Sequence, residues 1–593
     1  MSRSRRWSPR VAVLTASAAI VFAACGGSTA STAPSAGTES EAPSAAPASQ
    51  GAFTPMVYPE TGEAPCGQTE APDAAHSAYT GNFKKISATD DGTVVFELCN
   101  PDVAFLSKIA FTSFAINDTA WLEANIDPAG TTNQAIVSNV NGTGPYKLEA
   151  WNRGSDVTMA RNDAYWGDKA KSEKLIFRWS KEAAQRLVEL QSGTVDGIDN
   201  VGNEDFTTVS GNPDLQIKPR EGLNVMYLGM NNTFAPFNDP KVRQAIAMGI
   251  DRERLLENFA AAGSEIATHF TPCSIPNGCT GDAWYDFDPT AAKALLAEAG
   301  YENGFDTKIQ YRDIPRGYIN NQTVVATDLQ AQLKNNLGIN ATLEVQESGT
   351  FIDNADTGKL DGIHILGWGA DYPDVTNFLD YHFGNGATAQ FGDKYPDLTA
   401  ALDEGAVGLD DASRKPAYEK ANNAVKANVP MVPIWHQASA TAYRADVQDA
   451  HSSPLGNEHF ASMTPGDRTQ LVWMQGGEPP GLYCADESDG EALRACEQMM
   501  EGLYAYEIAG TAAEPALATE CKPNAELTTW TCTLRDGVTF HDGATLDAND
   551  VVLTYASQWD AEHPLHKGRD GSFSYFPGLF GGFLNAPPPA PAS

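Results

Sequence analysis

The stretch Ile363-His364-Ile365-Leu366, followed directly by Gly367-Trp368-Gly369-Ala370-Asp371-Tyr372-Pro373-Asp374, decides the fold. Its apolar run is short, rich in β-branched residues and closed by a glycine-containing turn, which is typical of a buried parallel strand. The preceding segments alternate between strand and helix patterns: a strand at 308–311, a helix at 324–337, a strand at 342–346 and a short helix at 351–357. In such βαβαβ series ligands bind beyond the carboxyl ends of the strands, and Asp371 is therefore expected where a ligand would lie.

Asp371 is the first candidate site residue. A carboxylate at this place could hold a cationic group, and Gly367 and Gly369 would let a ligand backbone approach closely. Trp368 could cover the ligand. The alternative is that Asp371 caps a turn beside a packed Trp368, and the pattern alone leaves both interpretations open.

Length, composition and charge limit the class of protein. A chain of 593 residues is too long for one hydrophobic core, so two or more domains are expected. The hydrophobic content of 42% is ordinary for a soluble globular protein and excludes a polytopic membrane protein. The net charge of −36 favours solubility and argues against a nucleic-acid partner, since no basic stripe occurs in the chain.

The N-terminus has the pattern of a lipoprotein signal peptide, predicted for residues 1–24. Its apolar run at 11–24 is too short to span a bilayer and ends in Phe22-Ala23-Ala24-Cys25-Gly26, which resembles a bacterial lipobox. Cleavage before Cys25 and its lipidation would anchor the protein to the outer face of the cytoplasmic membrane. Residues 25–50, rich in Ser, Ala, Pro and Thr, are predicted to be a flexible tether. The Arg5-Arg6 pair leaves Sec and twin-arginine export open.

The cysteines favour disulfide bonds. Nine cysteines less Cys25 leave eight, an even number in an exported chain. Pairs that are near in sequence are the candidates, and the sequence alone does not fix the connectivity: Cys66 with Cys99, Cys273 with Cys279, Cys484 with Cys496, and Cys521 with Cys532. The alternative is a metal cluster, but the sequence has no C-x-x-C motif and its ten histidines are dispersed, so no metal or cofactor is expected.

The W-x-A-D-Y-P-D series at 368–374 resembles the ligand loop of the extracellular solute-binding proteins, family 5, of peptide/nickel-type ABC importers. Further stretches between about 79 and 585 agree with that family: Gly142-Thr143-Gly144-Pro145-Tyr146, Val242-Arg243-Gln244-Ala245-Ile246, Ile250-Asp251-Arg252, Leu296-Ala297-Glu298-Ala299-Gly300, and Leu534-Arg535-Asp536-Gly537-Val538-Thr539-Phe540-His541-Asp542-Gly543. Each stretch is weakly specific alone, and as a set they are specific.

The resemblance implies an α/β fold of the two-lobed periplasmic-binding-protein type (class II, large peptide-binding subtype), with the ligand in the cleft between the lobes. It implies a monomeric, non-enzymatic receptor that captures a peptide or peptide-like solute and delivers it to an ABC permease. The same fold binding an oligosaccharide or chelated nickel is the alternative. A secreted hydrolase is a remote alternative, because no nucleophile–base motif supports it.

The resemblance also assigns roles to site residues. Asp371 would hold the α-ammonium of the ligand, and Arg316 is a candidate for its carboxylate, with a surface or inter-lobe ion pair as the alternative role of Arg316. The segment Gly476-Gly477-Glu478 follows an apolar strand and would line the cleft opposite Gly367 and Gly369, where the two backbones would pair with an extended ligand.

The order of the parts is unusual for that family. The lobes are predicted as 51–229 together with 436–586 (first lobe) and 230–435 (second lobe), followed by a disordered tail at 587–593. In the family the part resembling 472–585 opens the mature chain, whereas here it comes last. This order predicts a circular permutation with new termini at 579–585 and near Tyr79; a mis-assembled gene model is the alternative.

Overall fold

The computed structural model describes residues 53–127, 129, 133–313 and 316–588. The predicted signal peptide, Cys25, the tether and most of the predicted tail lie outside the described residues. Within the described ranges, no helix is both long and apolar enough to cross a membrane.

The strands of the described residues are, in chain order, β1 Val57–Tyr58, β2 Phe83–Asp90, β3 Thr93–Leu98, β4 Tyr146–Asn152, β5 Asp156–Arg161, β6 Lys174–Trp179, β7 Gly197–Ile198, β8 Leu215–Arg220, β9 Asn224–Met230, β10 Glu265–Ile266, β11 Asp306–Tyr311, β12 Asn340–Val345, β13 Ile363–Gly369, β14 Met431–His436, β15 Ser439–Arg444, β16 Gln470–Gln475, β17 Tyr504–Tyr506, β18 Ala513–Pro515, β19 Ala518–Pro523 and β20 Thr529–Leu534.

The α-helices are α1 Phe105–Ile109, α2 Thr119–Asn125, α3 Gln134–Ser138, α4 Ala183–Ser192, α5 Phe206–Ser210, α6 Pro240–Gly249, α7 Arg252–Phe259, α8 Pro289–Glu298, α9 Gln322–Gln332, α10 Ser348–Asp356, α11 Leu379–Phe383, α12 Pro396–Gly405, α13 Asp411–Asn428, α14 Gly490–Glu497, α15 Ala548–Trp559 and α16 Tyr575–Phe580. The helix predicted at 324–337 is α9 continued by a π-helical turn, Leu333–Leu337.

The strands form two lobes. The second lobe is built on a six-stranded sheet of order β10-β14-β9-β13-β11-β12. The first lobe holds a seven-stranded sheet, β4-β5-β6-β16-β7-β15-β8, and a five-stranded sheet, β1-β2-β3-β20-β19. The chain passes between the lobes from β8 to β9 and from β14 to β15. These two crossings lie side by side, because the side-chain amide of Asn224 donates to the carbonyl of Gln437 at 2.8 Å and its oxygen accepts from the Gln437 N–H at 2.9 Å.

The strand that leads to Asp371, β13, lies in the middle of the second lobe's sheet. It is parallel to β11, as predicted, at Ile309–Ile363 and Gln310–His364. On its other side it runs antiparallel to β9 along its whole length, which the sequence pattern did not predict. The predicted boundary between residues 229 and 230 therefore divides β9 before its last residue, whereas the whole strand belongs to the second lobe's sheet. The cause is visible in β9 itself, which is buried almost throughout and completes the sheet of the second lobe.

The C-terminal part of the chain completes the first lobe. β16 pairs with β6 in parallel, and β20 pairs antiparallel with β3. Helix α15 is buried along its whole length and packs its large side chains, among them Tyr555 and Trp559, against Phe83 of β2. Residues 470–586 thus share sheets and a hydrophobic core with the first part of the chain.

The four predicted disulfides are confirmed. Cys66–Cys99, Cys273–Cys279, Cys484–Cys496 and Cys521–Cys532 are bonded pairs.

Candidate ligand-binding site

Asp371 is held in place by a buried amide. The Oδ1 atom of Asn377 accepts from Trp368 Nε1 and from the Asp371 N–H, both at 3.0 Å, and its Nδ2 atom donates to Asp371 Oδ2 at 3.2 Å. Because one amide makes three bonds to two neighbours, the carboxylate and the indole have a fixed relative orientation. Asn377 was not predicted from the sequence as a site residue. Its signal was Asp374, whose side chain caps the short helix that carries it.

The Asp371 carboxylate is partly desolvated and has tyrosine side chains near it. Burial raises its pKa, and the hydrogen bond from Asn377 opposes the rise. Beyond the effect of burial, its charge raises the pKa of Tyr506 and Tyr575 of the first lobe and of Tyr381 of the second. In the part of the chain that the structure describes, no basic side chain forms an ion pair with Asp371. The site therefore combines a half-buried carboxylate with tyrosines from both lobes.

Trp368 has one face covered. Its ring stacks on Tyr381 with 4.3 Å between centroids and meets the edge of His382 at 5.0 Å. Tyr381 is itself 48% exposed, so this aromatic pair is at the surface of the second lobe and not in its core.

The two predicted glycines differ. A Cβ on Gly367 would lie 2.3 Å from the ring of Tyr318, so a glycine is needed there for packing, and ligand access does not explain it. A Cβ on Gly369 would meet nothing within 4 Å. Since β11 pairs with β13 only at Ile363 and His364, the open backbone next to Asp371 is the end of β13 at Gly369.

A cavity of about 630 Å³ adjoins this end of β13. Its lining combines Gly369, Ala370 and Arg316 of the second lobe with Asn200 and Arg220 of the first, beside the two chain crossings. Arg316 is exposed, and its backbone forms a tight turn with Ile319. Among the described residues the guanidinium of Arg316 forms no ion pair, so the structure brings Arg316 and Gly369 to one cavity and leaves the charge of Arg316 available.

Gly476, Gly477 and Glu478 are not part of that lining. The Glu478 carboxylate accepts from Trp151 Nε1 at 3.2 Å and from the Gly154 N–H at 3.1 Å, which ties it to the β4–β5 hairpin. A Cβ on Gly476 would lie 2.8 Å from Glu491 Oε1 in α14. The interactions of the Glu478 carboxylate are thus within the first lobe, and the predicted place of this segment opposite Gly367 and Gly369 stays a prediction.

One group has the residue types of a metal site. His269, Cys273 and Cys279 bring possible ligand atoms within 4.8 Å of one another. Because the two sulfurs are bonded to each other, they are not thiolates and cannot bind a metal in this state.

Sequence comparison identifies the family. The sequence model of the bacterial extracellular solute-binding proteins, family 5 Middle, matches residues 54–390 and 512–572. The chain belongs to this family.

Relatives of this family 5 protein agree with the fold. It is 26% identical over 387 residues to the dipeptide-binding protein of Escherichia coli (strain K12), a match that covers 64% of this chain and 71% of that protein. It is 27% identical over 384 residues to heme-binding protein A of Haemophilus influenzae, which covers 64% and 69%. The solved structure of HbpA2 from Haemophilus parasuis superposes with a TM-score of 0.61 at 27% identity, over 65% of this chain and 76% of that one. The family and the two-lobed α/β fold expected from the sequence are thereby confirmed.

Proposed function

We propose that this family 5 protein is the substrate-binding receptor of an ABC importer and that it captures a peptide between its two lobes. The observation that carries the proposal is Asp371, a carboxylate at the tip of β13 that is fixed by Asn377, desolvated, and without a basic partner among the described residues. A group of this kind is suited to the α-ammonium of a peptide, because a cation from the ligand would supply the missing charge. The dipeptide-binding relative supports the same assignment.

The geometry supports an extended ligand. With its ammonium at Asp371, the main chain of the peptide would lie along the open backbone at Gly369 and add to the edge of β13. The cavity then leads to Arg316, whose forked guanidinium suits the terminal carboxylate. Trp368 and Tyr381 would cover the ammonium end. Glu478 has no part in this proposal, because its carboxylate binds the β4–β5 hairpin.

In this proposal the working step is closure of the lobes. The Asp371 loop and Arg316 belong to the second lobe, while Tyr506 and Tyr575 face Asp371 from the first. A ligand that contacts both sides stabilises the closed arrangement, which the permease would then recognise. A monomer anchored through a lipid on Cys25 would act outside the cytoplasmic membrane, and no chemistry on the ligand is needed.

Calorimetry with a small peptide and its N-acetylated form tests the proposal. Acetylation removes the ammonium, and Asp371→Asn removes its counter-charge; each is expected to weaken binding by ~2–5 kcal/mol. The midpoint of thermal unfolding of the empty protein should change little, because Asp371 makes no ion pair. Glu302→Gln, an exposed carboxylate of the same lobe, is the matched control.

Unchanged affinity of the Asp371→Asn protein would refute this role of Asp371. The rival ligands are a cello-oligosaccharide, chelated nickel and, given the heme-binding relative, heme. A thermal-shift screen separates them from peptides, since the carboxylates of heme would be repelled by Asp371 and not held by it.

A further inference from the structure

The first lobe contains a second cavity, of about 210 Å³. Its walls come from the end of α14, from the β17–β18 hairpin and from the segment between β15 and β16. The polar groups of this lining include Glu497 and Glu501, Tyr506, Asn457 and His459, and two exposed acids, Glu507 and Glu514, lie at its surface. Apart from Pro145, which lies in the quoted stretch 142–146, the residues of this lining were not predicted from the sequence.

Glu497 is the unusual member of this lining. Burial raises its pKa to about 8, with hydrogen bonds from Asn457 and Thr112 opposing the rise. The charged groups that face it are Glu458, which raises the pKa further, and Arg494, which lowers it. Arg494 is already committed, because it binds Glu458 at 2.9 Å and Asp199 at 3.1 Å. Glu497 is thus a largely desolvated carboxyl, and the cation that lowers its pKa, Arg494, is already paired with two other acids.

Glu501, in the wall of the same cavity, differs from Glu497 because its carboxylate accepts three hydrogen bonds. It accepts from Tyr165 at 2.6 Å, from Trp166 Nε1 at 2.9 Å and from Thr143 at 2.7 Å. Its oxygens are therefore used in holding the wall together. Among the residues that the structure describes, Glu497 accepts only from Thr112, at 3.4 Å, and from the amide of Asn457. Nearby, the buried Nδ1 atom of His459 has no hydrogen-bond partner among the described residues. This nitrogen is therefore available for a hydrogen bond to a ligand in the cavity.

The cavity adjoins the site of Asp371 through one side chain. Tyr506 is in the cavity lining, and its hydroxyl donates to the carbonyl of Ser107 at 2.7 Å. After burial, the charge of Glu497 raises its pKa most, and Asp371 contributes as well. Tyr506 thus lines the Glu497 cavity and also packs against the hydrophobic cluster that contains Tyr372, the neighbour of Asp371.

We propose that this cavity receives a cationic side chain of the bound peptide, of the lysine, ornithine or arginine type, and that Glu497 is its counter-charge. The preferred ligands are then basic peptides. The inference rests on the proposed function, because it treats the cavity as a side-chain pocket of the same site. It adds a specificity that Asp371 cannot supply, since every peptide with a free amino terminus satisfies Asp371 equally.

Matched tripeptides test this specificity by calorimetry. Alanine tripeptides carry one lysine or one norleucine at position 1, 2 or 3, so that each pair differs only in the side-chain charge. At one position at least, the lysine peptide is expected to bind roughly tenfold tighter or more. Glu497→Gln should remove this preference and leave the affinity for norleucine peptides within about twofold of the original. Glu520→Gln, an exposed acid of β19, is the control and should change neither.

Proton release gives a second readout. At pH 7 the Glu497 carboxyl is mostly protonated, and an ammonium beside it lowers its pKa, so binding the lysine peptide should release close to one proton more than binding the norleucine peptide. Asp371 and the α-ammonium are common to both peptides, so their contribution cancels. Comparison of binding heats in two buffers of different ionisation enthalpy measures the difference.

The outcomes separate the two proposals. If no peptide of any kind binds, the proposed function itself fails. If peptides bind but norleucine equals lysine at all three positions, or if Glu497→Gln weakens both alike, the side-chain pocket is refuted while the receptor function stands.

Discussion

The ammonium of Lys108, in the first lobe, lies 5.3 Å from the centre of the Tyr372 ring, in the second lobe. Asp102 fixes this ammonium at 2.7 Å, and Tyr372 is buried in the hydrophobic core of the first lobe. The residue next to Asp371 thus docks on the opposite lobe. On the other side of the loop, Asp374 makes a two-pronged ion pair with Arg414 at 2.8 Å, which anchors the loop to its own lobe. The Asp371 loop is therefore held from both sides.

Tyr372→Ala should favour separation of the lobes. It removes a buried aromatic ring, worth ~1.5–3 kcal/mol, together with a cation–π contact of up to ~2 kcal/mol. We expect peptide affinity to fall roughly tenfold to a hundredfold, and small-angle scattering should show a larger radius at subsaturating peptide. Tyr372→Phe, which retains the ring, is the control. Equal affinity of the Ala and Phe variants would show that this contact does not contribute to closure.

A buried cluster of four charges should contribute strongly to the stability of the first lobe. Arg220 and Arg494 each bind both Asp199 and Glu458, and all four side chains are almost completely buried. Glu458→Gln leaves two guanidinium groups short of one charge, which typically costs ~3–5 kcal/mol. Urea unfolding measures the loss. The exposed pair Lys420–Glu404 provides the contrast, and Glu404→Gln should cost at most about 1 kcal/mol. Similar costs for the two variants would contradict the argument.

The stability of the second lobe should decrease as the pH rises from about 4 to 7, partly through Asp380. Burial raises the pKa of this carboxyl to about 7, although Tyr418 donates to it at 3.1 Å. The unfolded chain ionises near pH 3.8, so between these values the native state holds the extra proton and stability decreases with rising pH. Asp380→Asn should flatten this slope, by on the order of 2–4 kcal/mol across the interval. Chemical denaturation at pH 4, 5.5 and 7 tests it; an unaltered slope would refute it.

The disulfides should differ in their effect on stability according to the length of chain they close. Cys66 and Cys99 are 33 residues apart, whereas Cys273 and Cys279 are 6 apart. The chain-entropy argument gives about 3.7 kcal/mol for the longer loop and about 2.2 kcal/mol for the shorter one. Replacing each pair by alanine and measuring the free energy of unfolding compares them. A larger loss from the Cys273–Cys279 pair would show that native-state packing and not loop entropy decides the order.

The strand and loop that carry Asp371 were predictable because their signals are local. A buried apolar run and a glycine turn specify the end of β13 without reference to any other part of the chain. The antiparallel neighbour β9 was not predictable in the same way, because a fully buried strand has the same pattern whichever lobe it joins.

The environment of the site depends on contacts between distant residues. Tyr318 fills the space above Gly367, whereas the space at Gly369 is open. This difference follows from tertiary packing between residues some fifty positions apart in the chain. Glu497 has no sequence signal at all among so many acids. Its distinction is burial, which arises only when the C-terminal part of the chain closes the first lobe.

The predicted circular permutation has a structural counterpart that can be tested. The N–H of Ser77 donates to the carbonyl of Ala586 at 2.8 Å, and its hydroxyl donates to the carbonyl of Pro587 at 3.0 Å. Ser77, close to the predicted new terminus near Tyr79, thus lies beside the end of the first-lobe part of the chain, as joining the two would require. If these two ends were joined, the chain could be opened at the turn of Gly466 and Asp467 to give new termini. Asp467 is exposed there, just before β16.

A rearranged chain should therefore fold, with residues 467–586 placed first and joined to 77–466. The sheets need only the pairings of β16 with β6 and of β20 with β3, and neither depends on which segment comes first along the chain. The control is a chain of residues 77–588 in the present order, because it lacks β1 and Cys66 just as the rearranged chain does. Both chains carry Cys99→Ser, since Cys99 would otherwise be left without its disulfide partner. Since the new connection closes a short gap, the two free energies of unfolding should agree within about 1–2 kcal/mol, and peptide affinities should agree as well. If the comparison chain folds and the rearranged one does not, the present order of segments is required for folding and the permutation hypothesis loses its physical basis.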